Sequence, residues 1–237
     1  MKTIPARERL IFATDVPNAE AARQMVETLG DSVVFYKLGL ELMMAGGYFE
    51  LLDWMVARGK KVFVDLKFFD IPATVANAVR QLNGRGVTFA TVHGNQSIME
   101  AAAEAATDVK ILAVTVLTSL DRGDLDDLGF QCDVQQLVIS RARRALATGC
   151  AGVVSSGIEA EAIRRELGDK LMVVTPGIRP VDNRAEDDQK RVLTVERAFA
   201  AGADYIVVGR PIRDAADPRA AAEAIQASIL AVCGPGA

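Results

Sequence analysis

The chain has 237 residues, half of them hydrophobic, enough to bury a large core in one α/β domain. A formal net charge of −4 argues against nucleic acid or an anionic membrane surface as a partner, so an anionic ligand needs a local basic site. Cys132, Cys150 and Cys233 are widely spaced with no CxxC pair, which fits a reducing compartment, and the single histidine, His93, excludes a His-rich metal site.

The N-terminal residues 1–8 lack the apolar core of a signal peptide, and no apolar run reaches membrane-spanning length. A cytoplasmic location without a membrane partner is therefore expected. In chain order the hydrophobic pattern predicts a strand over 10–15, a helix over 19–29, a strand over 33–38 and a helix over 47–58. A strand over 61–66, a helix over 71–83, a strand over 87–93 and a helix over 97–106 follow. The second half predicts strands over 110–117, 152–155, 171–175 and 205–208, alternating with helices over 134–148, 159–167, 195–201 and 218–232. Eight strands, each followed by a helix, predict an α/β fold, a single (β/α)8 TIM barrel domain spanning 1–237. An open doubly wound sheet is the competing architecture, but no GxGxxG follows the first strand. A long polar connection over 179–191 follows the seventh strand and is a candidate lid.

Barrel chemistry sits at the C-terminal ends of the strands. The polar residues predicted there are Asp15, Lys37, Asp65, Lys67, Asp70, His93, Thr118, Ser119, Arg179 and Arg210. Side chains alternate along a strand, so Asp65 and Lys67 share a face with Phe63 deeper in. Charge on the inner face of a barrel strand is expensive. Asp65 and Lys67 are either a buried structural ion pair or, with Lys37 and Asp70, a self-neutralising Lys–Asp–Lys–Asp array. Asp15 is either a site residue or a helix cap. Thr118 and Ser119 are either ligand contacts or a turn, and His93 reads as a satisfied polar residue at a strand end. The charged run over 186–191 reads as a solvated face unless its position in the connection matters. Gly209-Arg210 after the eighth strand suits phosphate, because glycine admits close backbone approach and arginine supplies charged donors; the alternative is a surface arginine after a turn.

The segment Asp65-Leu66-Lys67-Phe68-Phe69-Asp70-Ile71-Pro72-Ala73-Thr74 resembles the DxKxxD signature of the orotidine 5′-phosphate decarboxylase family. Further resemblances run along nearly the whole chain in order: Ala13-Thr14-Asp15, Tyr36-Lys37-Leu38-Gly39, Thr91-Val92-His93, the Val114 to Ser119 stretch, Thr175-Pro176-Gly177-Ile178-Arg179-Pro180, Asp188-Gln189, and Val207-Val208-Gly209-Arg210. DxKxxD alone is shared with sugar-phosphate relatives, whereas the ordered set is specific. The chain departs from the family at Phe69 and Ala73, where His and Asn are common, and at Thr14, where Leu is commoner. No departure removes a charge of the array.

The resemblance implies decarboxylation of orotidine 5′-phosphate to uridine 5′-phosphate in pyrimidine biosynthesis, without cofactor or metal. It implies Lys67 as proton donor to C6, Asp65 beside the departing carboxylate, and Lys37 and Asp70 completing the array. It places Asp15, Lys37 and Thr74 at the ribose, Thr118 and Ser119 at the pyrimidine, and Pro176, Arg179, Gln189, Gly209 and Arg210 among the substrate contacts towards the phosphate. It also implies a homodimer in which Asp70, Ile71 and Thr74 reach the neighbouring subunit's site. An Mg²⁺-dependent sugar-phosphate decarboxylase or lyase on the same barrel is the alternative, but Lys37 beside Asp65 disfavours a divalent ion. A non-catalytic nucleotide-binding barrel would keep Arg210 yet have little need for the costly array.

Overall fold

In the computed structural model, which describes residues 2–179 and 193–234, eight parallel strands close into a barrel in sequence order. The order is β1 (Leu10–Ala13), α1 (Ala19–Leu29), β2 (Phe35–Leu38), α2 (Leu40–Ala45), α3 (Tyr48–Ala57), β3 (Lys61–Phe68), α4 (Pro72–Arg80), β4 (Val87–His93) and α5 (Gln96–Ala105). It continues with β5 (Lys110–Val114), α6 (Arg122–Asp127), α7 (Val134–Ala147), β6 (Gly152–Val154), α8 (Gly157–Leu167), β7 (Met172–Thr175), α9 (Val195–Ala200), β8 (Tyr205–Val208), α10 (Arg210–Arg213) and α11 (Pro218–Cys233). The expected (β/α)8 architecture is the one formed. Each strand pairs in parallel with its sequence neighbour, and β8 closes on β1 with Ile11 opposite Val207.

Strand alternation sorts the apolar residues into two cores. Ile11, Phe35, Phe63, Phe89, Leu112, Val174 and Tyr205 point into the barrel, whereas Leu10, Phe12, Tyr36, Val62 and Val64 pack outward under the helices. Four aromatic residues, Phe35, Phe63, Phe89 and Tyr205, lie in the interior. Phe89 lies against Phe35, Phe63 and Tyr205 with ring centroids 5.2 to 5.9 Å apart, forming the floor beneath the strand C-terminal ends. At the opposite end Ile4 joins this interior cluster. Its segment is fastened by Lys2 Nζ, which donates to Leu171 O and pairs with Asp204 at 3.2 Å.

Most element boundaries differ from the sequence expectation by a residue or two. Strand 1 was expected to reach Asp15 but ends at Ala13, although Thr14 N–H still donates to Lys37 O. Three short helices were not anticipated. In α2 the apolar Leu40, Met43 and Met44 are exposed, so no apolar stripe faces the core. The second is α6, which opens with a reciprocal Asp121–Asp124 capping box. The third, α10, has only four residues and starts at Pro211's neighbour Arg210, directly after Gly209. No helix among the described residues is long and apolar enough to cross a membrane.

Candidate active site

A cavity of about 470 Å³ opens at the C-terminal ends of the strands. Asp15, Lys37, Asp65, Lys67, Thr118, Pro176, Arg179, Gly209 and Arg210 all line it. The barrel geometry thus brings together residues spread across nearly two hundred positions of sequence. Beneath and beside them, Phe63, Val114, Val154, Ile178 and Val207 give the cavity an apolar wall.

Phe63, Asp65 and Lys67 occupy successive inward positions of β3, as period-two alternation requires. Asp65 Oδ2 faces both lysines, Lys67 Nζ at 2.9 Å and Lys37 Nζ at 3.5 Å. Lys37 Nζ also donates to Asp15 Oδ1 at 3.0 Å. The order in space is Asp15–Lys37–Asp65–Lys67, with opposite charges adjacent throughout. Burial works against the charge on Lys37, yet Asp65 and Asp15 outweigh it and hold that group above the ordinary lysine range. Burial likewise pushes the Asp65 carboxyl up, but Lys37 and Lys67, helped by the Thr91 hydroxyl, hold it below the usual carboxylate range.

The alternation along β3 is not regular to its end. Its register with β4 shifts between Val64 and Phe68, and Lys67 adopts φ +48°, the left-handed region that a non-glycine residue rarely occupies. Such a conformation costs of order 1–3 kcal/mol and persists only where the surroundings enforce it. Here they include Thr91, a wholly buried residue of β4, whose Oγ1 accepts the Lys67 N–H at 3.0 Å.

The part of the cavity over β7 and β8 is basic. Arg179 follows β7 and Arg210 follows β8. Burial and then the proximity of Arg210 push the Arg179 guanidinium downward, as expected for two cations sharing one space. Gly209 separates β8 from α10, and a Cβ there would come within 3.3 Å of Ala13 Cβ and 3.8 Å of Asp15 Oδ2. The backbone can therefore approach a ligand where a larger residue would crowd β1. Gly177, at φ +78°, makes the turn before Arg179. Arg179 N–H donates to Leu193 O, and Leu193 N–H donates to Gly177 O.

Other expected site residues lie elsewhere. Asp70 and Thr74 are exposed and do not line the cavity; Asp70 Oδ1 instead accepts the Ile71 N–H. Phe69 and Ile71 are exposed beside them, about two-thirds accessible at 64% and 66%. Ser119 is exposed in the turn after β5, where only its neighbour Thr118 reaches the cavity. Gln189 and most of the connection over 179–191 lie outside the described residues. His93 is half-buried, stacks on Phe69 with centroids 4.8 Å apart, and does not line the cavity. Burial, then Arg141 and Lys67, hold its imidazole below the ordinary range, which favours the neutral ring.

Two residues with a place in the site were not singled out from the sequence. Thr91 stands two positions beyond the inward Phe89 on β4, a period-two signal that places it level with Asp65. Arg213 lines the cavity from α10 and donates to Asp15 O at 2.8 Å while bonding to Asp214 through Nε and Nη2. No pattern in the sequence distinguishes it from a surface arginine.

A closed (β/α)8 barrel with an alternating carboxylate–lysine row and an arginine pair lining one cavity at its mouth defines a class: a barrel enzyme for small anionic substrates. The comparisons specify it further. Residues 8–225 match the model of the orotidine 5′-phosphate decarboxylase / HUMPS family. The chain is 66% identical over 235 residues to the orotidine 5′-phosphate decarboxylase of Methylococcus capsulatus, covering 99% of this chain and 97% of that one. It is 53% identical over 233 residues to the enzyme of the same name from Xanthomonas oryzae pv. oryzae, covering 98% and 96%. The crystal structure of orotidine 5′-phosphate decarboxylase from Lactobacillus acidophilus superposes with a TM-score of 0.83 at 34% identity, covering 94% of this chain and 99% of that one. The chain belongs to the orotidine 5′-phosphate decarboxylase / HUMPS family.

Proposed function

We propose that this chain decarboxylates orotidine 5′-phosphate to uridine 5′-phosphate in de novo pyrimidine biosynthesis. The observation that carries this reading is the Asp15–Lys37–Asp65–Lys67 row lining the same apolar-walled cavity as Arg179 and Arg210. The relatives named for this activity cover the chain end to end.

Loss of CO₂ from C6 of the pyrimidine leaves a carbanion with little resonance relief. A fixed cation where that charge develops lowers the barrier most in a dry, preorganised site. Lys67 is that cation, and it then delivers its proton to C6. Its carboxylate neighbour Asp65 favours an ammonium, which suits an acid rather than an amine nucleophile. Asp65 lies beside the departing carboxylate, Lys37 and Asp15 meet the ribose, and Thr118, from the turn it shares with the exposed Ser119, meets the base. Pro176 is a further substrate contact, and Arg179, Gln189, Gly209 and Arg210 hold the phosphate end. Binding energy gathered there, remote from C6, stabilises the reactive arrangement, and the connection near 179–191 closes over the phosphate.

The reading includes one barrel domain and a homodimer. Asp70, Ile71 and Thr74, exposed in one subunit, reach the site of its partner, and Asp70 then completes the charged array. The exposed apolar pair Phe69 and Ile71 supports this, because such side chains favour burial against another surface. The three free cysteines suit a reducing cytoplasm.

The family description also covers the HUMPS branch, so a metal-assisted sugar-phosphate reaction is the second reading. Lys37 weighs against it, since its ammonium stands between Asp15 and Asp65, where a divalent ion would need both carboxylates. Turnover of orotidine 5′-phosphate, followed by the change in pyrimidine absorbance with and without a chelator, tests both. Chelator-insensitive turnover supports the proposal. No turnover, or turnover abolished by chelation and restored by Mg²⁺, overturns it.

A further inference from the structure

Thr91 joins the two charged groups of β3 through a single oxygen. Its Oγ1 accepts the Lys67 N–H at 3.0 Å, so its own proton points to Asp65 Oδ1, 2.9 Å away. Donation to Oδ1 orients the carboxylate and leaves Oδ2 facing Lys67 Nζ and Lys37 Nζ. The same oxygen satisfies the backbone of Lys67 where the β3–β4 ladder slips register and φ turns positive. Thr91 is wholly buried on β4, so it is a rigid post rather than a mobile contact.

We propose that Thr91 is a positioning residue for the decarboxylation, holding the Lys67 backbone and the Asp65 carboxylate as one unit so that the ammonium is aimed at the reacting carbon. This rests on the reaction assigned above. Thr91 does not touch the cavity, so it acts only through its two partners. Without the hydroxyl, the Lys67 N–H and Asp65 Oδ1 each lose a bond, the left-handed turn loses one support, and the carboxylate is free to rotate. Mis-aiming a reacting group by about 1 Å costs roughly 100-fold in rate. Ground-state binding, dominated by the remote phosphate end, is expected to survive.

The test compares Thr91→Val, which keeps the shape, Thr91→Cys, which keeps the volume with a weak donor, and Thr91→Ser, which keeps the hydroxyl. Wild-type turnover of orotidine 5′-phosphate is measured first; its absence defeats the assigned reaction and this inference with it. Given that turnover, Thr91→Val and Thr91→Cys should lower kcat by about 100-fold, with KM and affinity for uridine 5′-phosphate changed by less than about threefold. Thr91→Ser should recover most of kcat. If Thr91→Val fails to fold, Thr91→Cys decides the matter. A folded hydroxyl-free variant with wild-type kcat overturns the proposal. So does a Thr91→Ser variant as slow as the others, because the methyl group rather than the hydroxyl would then matter.

Discussion

Lys67 Nζ stands 2.9 Å from Asp65 Oδ2, the two residues sharing the inner face of β3 one side-chain repeat apart. The contact makes Asp65 the local counter-charge of the proposed proton donor. Lys67→Ala should therefore fold, since Asp65 keeps Lys37 at 3.5 Å and the Thr91 hydroxyl. It should lose turnover by at least about 10⁴-fold, because the proton donor and the nearest cation go together. Uridine 5′-phosphate should still bind, as measured by calorimetry. Near-normal turnover would remove Lys67 from the mechanism.

Asp65 and Lys37 also make a stability prediction. Asp65 is held below its ordinary value of 3.8, so its contribution is present above that pH and is lost as pH falls through the depressed folded value. Lys37 is held above 10.5, so its contribution is present below that pH and is lost as pH rises through the raised folded value. Asp65→Asn leaves two ammonium groups with one fewer counter-charge in a largely buried site, and should cost about 3–5 kcal/mol. Urea unfolding should show this difference nearly constant between about pH 5 and pH 9, and shrinking in acid. A difference that grows on acidification would mean that Asp65 is not charged in the native state.

The inner-face charges were legible in the sequence because strand alternation is a strict rule and because charge on a barrel's inner face is costly. Phe63, Asp65 and Lys67 follow from that rule alone. The left-handed turn at Lys67 was not legible, since it arises from a register slip against β4 rather than from any turn residue in β3. Thr91 was visible only as part of a motif; its role depends on which oxygen of Asp65 it meets. The exposed α2 could not be read from amphipathicity, since Leu40, Met43 and Met44 point to solvent. Arg213 earns its place through a backbone carbonyl, and carbonyls leave no trace in a residue pattern. Asp70 lies outside the cavity, so its expected role depends on a second subunit.

The arginine side of the cavity should separate nucleotide from nucleoside. Arg210 shares its space with Arg179, whose guanidinium is pushed downward by burial and then by Arg210, and two guanidinium groups lining one cavity suit a phosphate dianion. Arg210→Ala should cut kcat/KM for orotidine 5′-phosphate by about 100-fold or more and change that for phosphate-free orotidine by less than about threefold. Arg210→Lys should recover part of the loss but not the two-pronged geometry. Equal losses on both substrates would place Arg210 in a structural role.

Asp70 makes the sharpest prediction about assembly. If Lys67 serves its own subunit's site and Asp70 serves the partner's, homodimers of Lys67→Ala and of Asp70→Ala each carry two damaged sites. A mixed dimer gathers both lesions into one site and leaves the other intact. With unbiased exchange half of all dimers are mixed, so about a quarter of all sites should regain wild-type turnover. Co-expression of differently tagged chains, followed by tandem affinity isolation, yields the mixed species directly, and half of its sites should then be active. Asp70→Ala also removes a negative charge from the proposed lysine row, which can bias pairing, so the mixed fraction is measured rather than assumed. Exposure of Asp70 outside its own cavity is the feature that makes this outcome expected. Isolated mixed dimers no more active than their parents would show that Asp70 does not act across an interface, and the charged array would then be complete with Asp15, Lys37, Asp65 and Lys67 alone.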